Sequence, residues 1–178
     1  MIKIKNNRGF SLLEIILVLA IAAVLIIGVF MVYPKVSSSS KVNNDTQLLT
    51  TLKSGIHSIW GSTSNFNGLS VDSVIKANLV PEDYLEDGEI QNNWGANVLI
   101  EPYYDGSYYI AFENISADAC PKFVAAAAGS FYKIVIAGNE IKNDMNNLPL
   151  SIDKTALACV NNEAGYSNRP VTIFFYDK

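Results

Sequence analysis

From Ile15 to Pro34 the chain carries no charged residue, and almost every position is aliphatic or aromatic. A helix of that length just crosses the roughly 30 Å hydrocarbon core of a bilayer, so the chain is expected to begin with a membrane helix. Glu14 stands at the head of this run. A carboxylate inside such a segment costs on the order of 3 kcal/mol to insert, which implies a partner for it. Lys3, Lys5 and Arg8 precede the run, and basic flanks stay on the cytoplasmic side. Everything from Lys35 onward is therefore expected to face the outside.

Three readings of this segment compete. A secretory signal has an apolar core of about 7 to 15 residues followed by small residues at a cleavage site. Ser37 to Ser40 offers a weak site of that kind, but the core here is longer and is headed by Glu14. A plain membrane anchor accounts for the length and gives no role to Gly9-Phe10 or Glu14. The third reading places cleavage before the apolar run, at the Gly9/Phe10 bond.

The stretch Arg8-Gly9-Phe10-Ser11-Leu12-Leu13-Glu14 combines a short basic leader, a terminal Gly, an aromatic residue and Glu as the fifth residue after that bond. In this it resembles the prepilin signal of type IV pilins and their pseudopilin relatives. The resemblance implies a membrane peptidase that cuts after Gly9 and methylates the new amino terminus at Phe10. It implies that the apolar helices of many copies then pack into the core of a filament. By the same likeness, Glu14 pairs with the Phe10 amine of a neighbouring subunit. The physics agrees, because a carboxylate and an ammonium desolvated together attract far more strongly than either tolerates being alone.

The chain has 178 residues, enough beyond a leader and a long helix for one modest domain with a single core. The expected layout is a leader over 1–9, a transmembrane and filament-core helix over 10–34, an amphipathic helix over 35–61 and a globular αβ head over 62–178. Formal charge is −4; without the three leader cations, 10 basic residues face 17 acidic ones, about −7. That balance lacks the basic surface that direct nucleic-acid binding requires.

Cys120 and Cys159 fall in the exported part, where disulfides form and persist. A bridge between them is expected, over the alternative of two buried free thiols. Closing a loop of about 40 residues would contribute roughly 3 to 4 kcal/mol in the chain-entropy model. No metal site or cofactor is expected: His57 is the sole histidine and neither cysteine belongs to a ligand-spaced pair.

Beyond the apolar run, Pro34 removes a helix donor and Gly28 weakens the same stretch. Gly28 to Pro34 is expected to be where the helix bends, or where it unwinds when subunits pack and lets a filament stretch. Leu48, Leu52, Ile56 and Ile59 or Trp60 then fall on one helical face, with Gly61 as the stop. His57 lies next to that stripe and reads as structural or solvent-facing. A short helix is expected from Ser70 to Asn78, capped by Ser70. The acidic run Glu82, Asp83, Glu86, Asp87 and Glu89 lacks the spacing of a calcium loop and reads as a solvated face.

From Asn92 the pattern turns to strands. Residues 97–101 and 107–112 flank a turn containing Asp105-Gly106, a hairpin signal. Residues 131–137 and Glu140-Ile141 flank Gly138-Asn139 as a second hairpin, and Pro170 to Tyr176 supplies a final strand. Asp118 is expected to cap a helix with Pro121 in its first turn and Gly129 as its stop. Another short helix opens at Ser151 and delivers Cys159. The fold class is α+β, with a long amino-terminal helix packed on a mostly antiparallel sheet; the resemblance implies that this is a pilin-like roll.

The head has a second likeness. Asn93-Trp94-Gly95 before a strand, Asp118-Ala119-Cys120 opening a helix and Cys159 closing a carboxy-terminal loop look like the type IVb subclass, which includes toxin-coregulated pilins and conjugative thin-pilus pilins. There the region between the cysteines, 120–159 here, borders a variable exposed surface. The short leader and Phe10 as first mature residue are features more usual in the type IVa subclass.

No nucleophile with its base and no phosphate-binding loop appears in the sequence, so an enzyme is not expected. The reading is a major pilin: a homo-oligomer in a helical filament, held first in the inner membrane with its head outside the cytoplasm, then extracted to the cell surface. Its expected partners are the lipid bilayer, a prepilin peptidase/methyltransferase and the inner-membrane assembly machinery. Two alternatives stand beside it. One is a minor pilin or pseudopilin of a secretion or DNA-uptake system; the other is a membrane-anchored binding module that does not polymerise.

Overall fold

One helix, α1 (Leu12–Trp60), runs through two compact units, Met1–Ser37 and Ser38–Lys178. The computed structural model describes residues 11–62, 65–104, 106–160 and 169–178, without the side chains of 28–35. Asp105 of the expected first hairpin turn lies outside the described residues. The helical assignment of α1 continues through Gly28 and Pro34.

In the second unit α1 is amphipathic. Leu48, Leu52 and Ile56 are buried as their spacing requires, and Val42 and Leu49 join them. The helix stops at Trp60 because Gly61 follows. The Gly61 N–H donates to the His57 carbonyl at 3.0 Å, and a Cβ at Gly61 would lie only 2.4 Å from that oxygen. Ser70 caps α2 (Val71–Lys76) through a reciprocal pair of hydrogen bonds with Ser73. A 3-10 turn (Glu82–Tyr84) leads to a minimal hairpin, β1 (Leu85–Glu86) and β2 (Glu89–Ile90), and all five acidic residues of this turn and hairpin are exposed.

The main sheet has five antiparallel strands in the order β3 (Val98–Tyr103), β4 (Ser107–Ile115), β7 (Val171–Asp177), β5 (Lys133–Ile136) and β6 (Asn139–Asn143). The last strand in the chain thus sits at the centre, paired with β4 and β5 on either side. Alternate residues such as Ile100, Ile110, Phe175 and Ile134 enter one core with Leu52 and Ile56 of α1 and with Phe123 of α3 (Cys120–Ala127). Phe123 packs edge-on against Phe112 and Phe175, with ring centroids 5.0 and 5.2 Å apart. α4 (Ile152–Val160) follows Ser151, whose carbonyl accepts from the Thr155 N–H at 2.9 Å.

Two local expectations are corrected. The β5–β6 turn is Ala137-Gly138, not Gly138-Asn139, with φ of 45° and 76°. A tight two-residue hairpin needs positive φ at both central positions, and Asn139 is already the first residue of β6. Asp118 does not cap α3; Ala119 occupies that position without a side-chain bond. Asp118 instead accepts from Ser38 Oγ of α1 at 2.9 Å, and its hydrogen bond from Ser116 holds the carboxyl below the usual carboxylate range. α3 ends as expected in front of Gly129, with Ala127 its last residue and Ala128 its cap.

Candidate assembly site

Glu14 lies in the first turn of α1, where its own N–H and that of Ile15 donate to the Ser11 carbonyl at 3.0 and 3.2 Å. An acid there is favoured by the unpaired N–H groups of a helix start. Around and beyond it the surface is uniformly apolar. Each large aliphatic side chain from Leu12 to Ile27 is 49 to 76% exposed. A helix that is apolar on every side is one that functions buried, yet within a single chain these residues are uncovered. Gly9 and Phe10 lie outside the described residues. Among the described residues no helix is long and apolar enough to cross a membrane; the described side chains of this run stop at Ile27, while the uncharged sequence continues to Pro34.

The second unit is closed by a Cys120–Cys159 disulfide that joins the start of α3 to α4, with Cα atoms 5.8 Å apart and both residues fully buried. Between the two cysteines run β5, β6 and most of α4. Lys142 of β6 fastens this region from inside. Its Nζ donates to the carbonyls of Ala128 and Phe131 at 2.9 and 2.5 Å and meets Asp144 Oδ2 at 2.7 Å. A cation among the last carbonyls of a helix satisfies acceptors that the helix itself leaves open.

Two further polar joints hold α1 to the head, and neither is apparent from sequence pattern. Asp45, completely buried, accepts from the Asn93 backbone N–H at 3.2 Å and from Asn93 Nδ2 at 2.5 Å. Burial pushes its carboxyl up to about 6, against the opposing pull of the Asn93 hydrogen bonds and the Lys41 charge. The Asn93-Trp94-Gly95 turn is thereby pinned to the helix, with Asn92 Oδ1 accepting from the N–H groups of Trp94 and Ala96 at 2.9 and 3.2 Å. At the far end of α1, one oxygen of Asp177 gathers His57 Nε2 at 2.6 Å, Lys53 Nζ at 3.0 Å and the Tyr108 hydroxyl at 3.2 Å. Burial raises the Tyr108 hydroxyl far above its ordinary range, and the Asp177 charge adds to this. His57 is thus a fastening between α1 and β7.

Among the described residues no three His, Cys, Asp or Glu side chains are grouped to hold a metal. What the molecule presents is an uncovered apolar helix headed by one acid, and a tightly fastened head. A family model described as Bundlin matches residues 35–176. The chain belongs to the bundlin family.

A second model, the prokaryotic N-terminal methylation motif, matches residues 4–30 of this bundlin-family chain, the segment that contains Gly9, Phe10 and Glu14. The chain is 25% identical over 186 residues to the major structural subunit of bundle-forming pilus from Escherichia coli O127:H6 (strain E2348/69 / EPEC), covering 96% of this chain and 95% of that one. It is 24% identical, with the same coverage, to the subunit of the same description from Escherichia coli O111:H-. Among solved structures, TcpA, a type IV pilin from Vibrio cholerae El Tor biotype, superposes with a TM-score of 0.59 at 12% identity, covering 78% of this chain and 99% of that one. A type IV b pilin from Salmonella typhi gives 0.57 at 14% identity, over 76% and 99%. The fold is that of type IV pilins, and the family is one of pilus structural subunits.

Proposed function

We propose that this bundlin-family chain is the repeating, major structural subunit of a type IV pilus. The observation that carries the reading is the contrast within one helix. Its Ser38–Trp60 part buries an apolar stripe in the head, while its Leu12–Ile27 part exposes aliphatic side chains on every side. Such a surface is stable only in lipid or against copies of itself, and a pilus subunit passes from the first environment to the second. The precursor resides in the inner membrane with its head outside the cytoplasm, and the assembled subunit is extracellular.

Processing by a prepilin peptidase removes residues 1–9 and methylates Phe10, a step supported by the methylation-motif match over 4–30. In the filament, Glu14 of one subunit pairs with the Phe10 amine of its neighbour and sets the axial register. Transfer from lipid to neighbouring helices exchanges one apolar environment for another, so packing and this ion pair supply the specificity. The Gly28 to Pro34 stretch unwinds as helices pack. The name shared by the two Escherichia coli relatives favours a major over a minor subunit.

Mass spectrometry of the mature amino terminus tests the processing step, with methylated Phe10 expected and a retained leader refuting it. Glu14→Ala is expected to leave a folded, processed subunit that does not build filaments. Normal filaments from Glu14→Ala would refute the register role. Unbroken helical hydrogen bonds through Ile27 to Lys35 in a filament reconstruction would refute the unwinding.

A further inference from the structure

The main sheet has a second face, opposite the core cluster that α1 and α3 complete. A solvated face of an antiparallel sheet is ordinarily polar, and here one row of it is apolar throughout. The cross-strand register aligns Leu99, Ala111, Phe174 and Val135 in one row over β3, β4, β7 and β5, and Glu101, Tyr109, Tyr176 and Lys133 in the next. Leu99, Tyr109, Val135, Phe174 and Lys133 are each half-buried and Glu101 is exposed, whereas Ala111 and Tyr176 between them are buried; none belongs to the core cluster on the opposite face. Neighbouring rings brace the surface: Tyr109 meets Phe174 and Tyr176 at 5.5 and 5.7 Å between centroids, and Tyr103 meets Tyr176 at 5.1 Å.

We infer that this face is a contact surface between copies of the chain, sheet face against sheet face, in neighbouring filaments. The inference rests on the reading of the chain as a filament subunit. The observation that selects a second copy as occupant is self-complementarity. The second row has an acid at its β3 end, a base at its β5 end and two tyrosines between them. A copy turned about a two-fold axis along the strands, between β4 and β7, lays Glu101 over Lys133 and Tyr109 over Tyr176, the same patch serving both partners. The same operation sets Leu99 opposite Val135; Ala111, which falls opposite Phe174, is fully buried and adds no contact area of its own.

Lys133 Nζ is held 4.7 Å over the Tyr176 ring and 3.4 Å from Glu140 Oε2; an ammonium has three donors, so it can meet a second carboxylate. Glu101 is exposed and accepts from the Tyr109 hydroxyl at 2.5 Å.

The size of the face decides where the contact operates. Four strands about 4.8 Å apart, over two alternate positions, present a patch of roughly 15 by 7 Å. That is far below the roughly 800 Å² per partner of a stable dimer. A single contact would not hold two free subunits together, whereas many copies aligned along two filaments gain by effective concentration.

The test uses filaments sheared from cells, scored for lateral association by low-speed sedimentation and electron microscopy. E101K filaments, with bases at both ends of the row, and K133E filaments, with acids at both ends, are each expected to pellet at least tenfold less than wild type. A mixture of the two is expected to pellet as wild type does, because each acid again faces a base. The double variant E101K/K133E is expected to associate with itself, and E101K, which leaves the Lys133–Glu140 pair intact, keeps the idea testable should K133E fail to fold beside Glu140. E101K filaments that associate as wild type, or a mixture that stays dispersed, would overturn the inference and leave the face to a different partner. Absence of wild-type filaments would instead refute the filament reading itself.

Discussion

Replacing Asp45 with asparagine probes the most unusual electrostatic feature of the head. The wild-type carboxyl is fully buried and is pushed up to about 6 from an ordinary 3.8. Between those values the folded protein holds a proton that the unfolded chain has released. Stability must therefore fall as pH rises through this window. Asp45 contributes most below about pH 4, and that contribution is lost above about pH 6. A shift of about 2 units at about 1.4 kcal/mol each corresponds to roughly 3 kcal/mol. Asparagine keeps the shape and the acceptor for the Asn93 N–H but cannot ionise. The stability difference, variant minus wild type, is thus expected to rise by about 3 kcal/mol from pH 4 to pH 7. Urea unfolding of the full chain in detergent micelles, followed by tryptophan fluorescence, measures it, since Trp94 adjoins Asn93 in the pinned turn. If the two stability curves ran parallel across that range, the argument from burial would be wrong.

Other perturbations follow from the same geometry. Cys120→Ser/Cys159→Ser opens a loop with a sequence separation of 39 and is expected to lower head stability by about 4 kcal/mol in the chain-entropy model, measurable as a lower urea midpoint. Leu52→Ala, at a fully buried position on α1, is expected to cost about 2 to 5 kcal/mol with processing of the amino terminus unchanged. Asp177→Ala strands the Tyr108 hydroxyl and removes the shared partner of Lys53 and His57. A loss of about 1 to 3 kcal/mol is expected, with faster amide exchange at the carboxy-terminal end of α1 as its local signature. Gly61→Ala places a methyl group against the His57 carbonyl and is expected to destabilise the helix stop, read as a lower melting temperature.

Much of this molecule is written locally. The apolar run with Glu14 at its head, the stripe of Leu48, Leu52 and Ile56, the Ser70 cap and the Gly61 stop depend on a few neighbouring residues. Helical periodicity and capping chemistry express themselves within one or two turns, so they are legible in one dimension. Pairing of Cys120 with Cys159 was legible for a different reason, since two exported cysteines leave one intramolecular choice.

Local rules failed where a competing partner lay far along the chain. Asp118 has the chemistry of a helix cap, but Ser38, 80 residues away, claims its carboxylate. Asp45 reads as one more polar residue after Asn43 and Asn44. Only the fold shows that it is sealed under the Asn93 turn, where desolvation changes its acidity. The placement of β7 between β4 and β5, the gathering of His57, Lys53 and Tyr108 on Asp177, and the apolar row on the second face of the sheet have the same origin. Sequence determined most of the helices and strands, though not the β1–β2 hairpin, and which helix needs an apolar surrounding, because periodicity and charge are properties of neighbouring residues. Tertiary structure alone decided the strand order, the buried acid and the outward row from Glu101 to Lys133, because these depend on register between segments that meet only when the chain closes on itself.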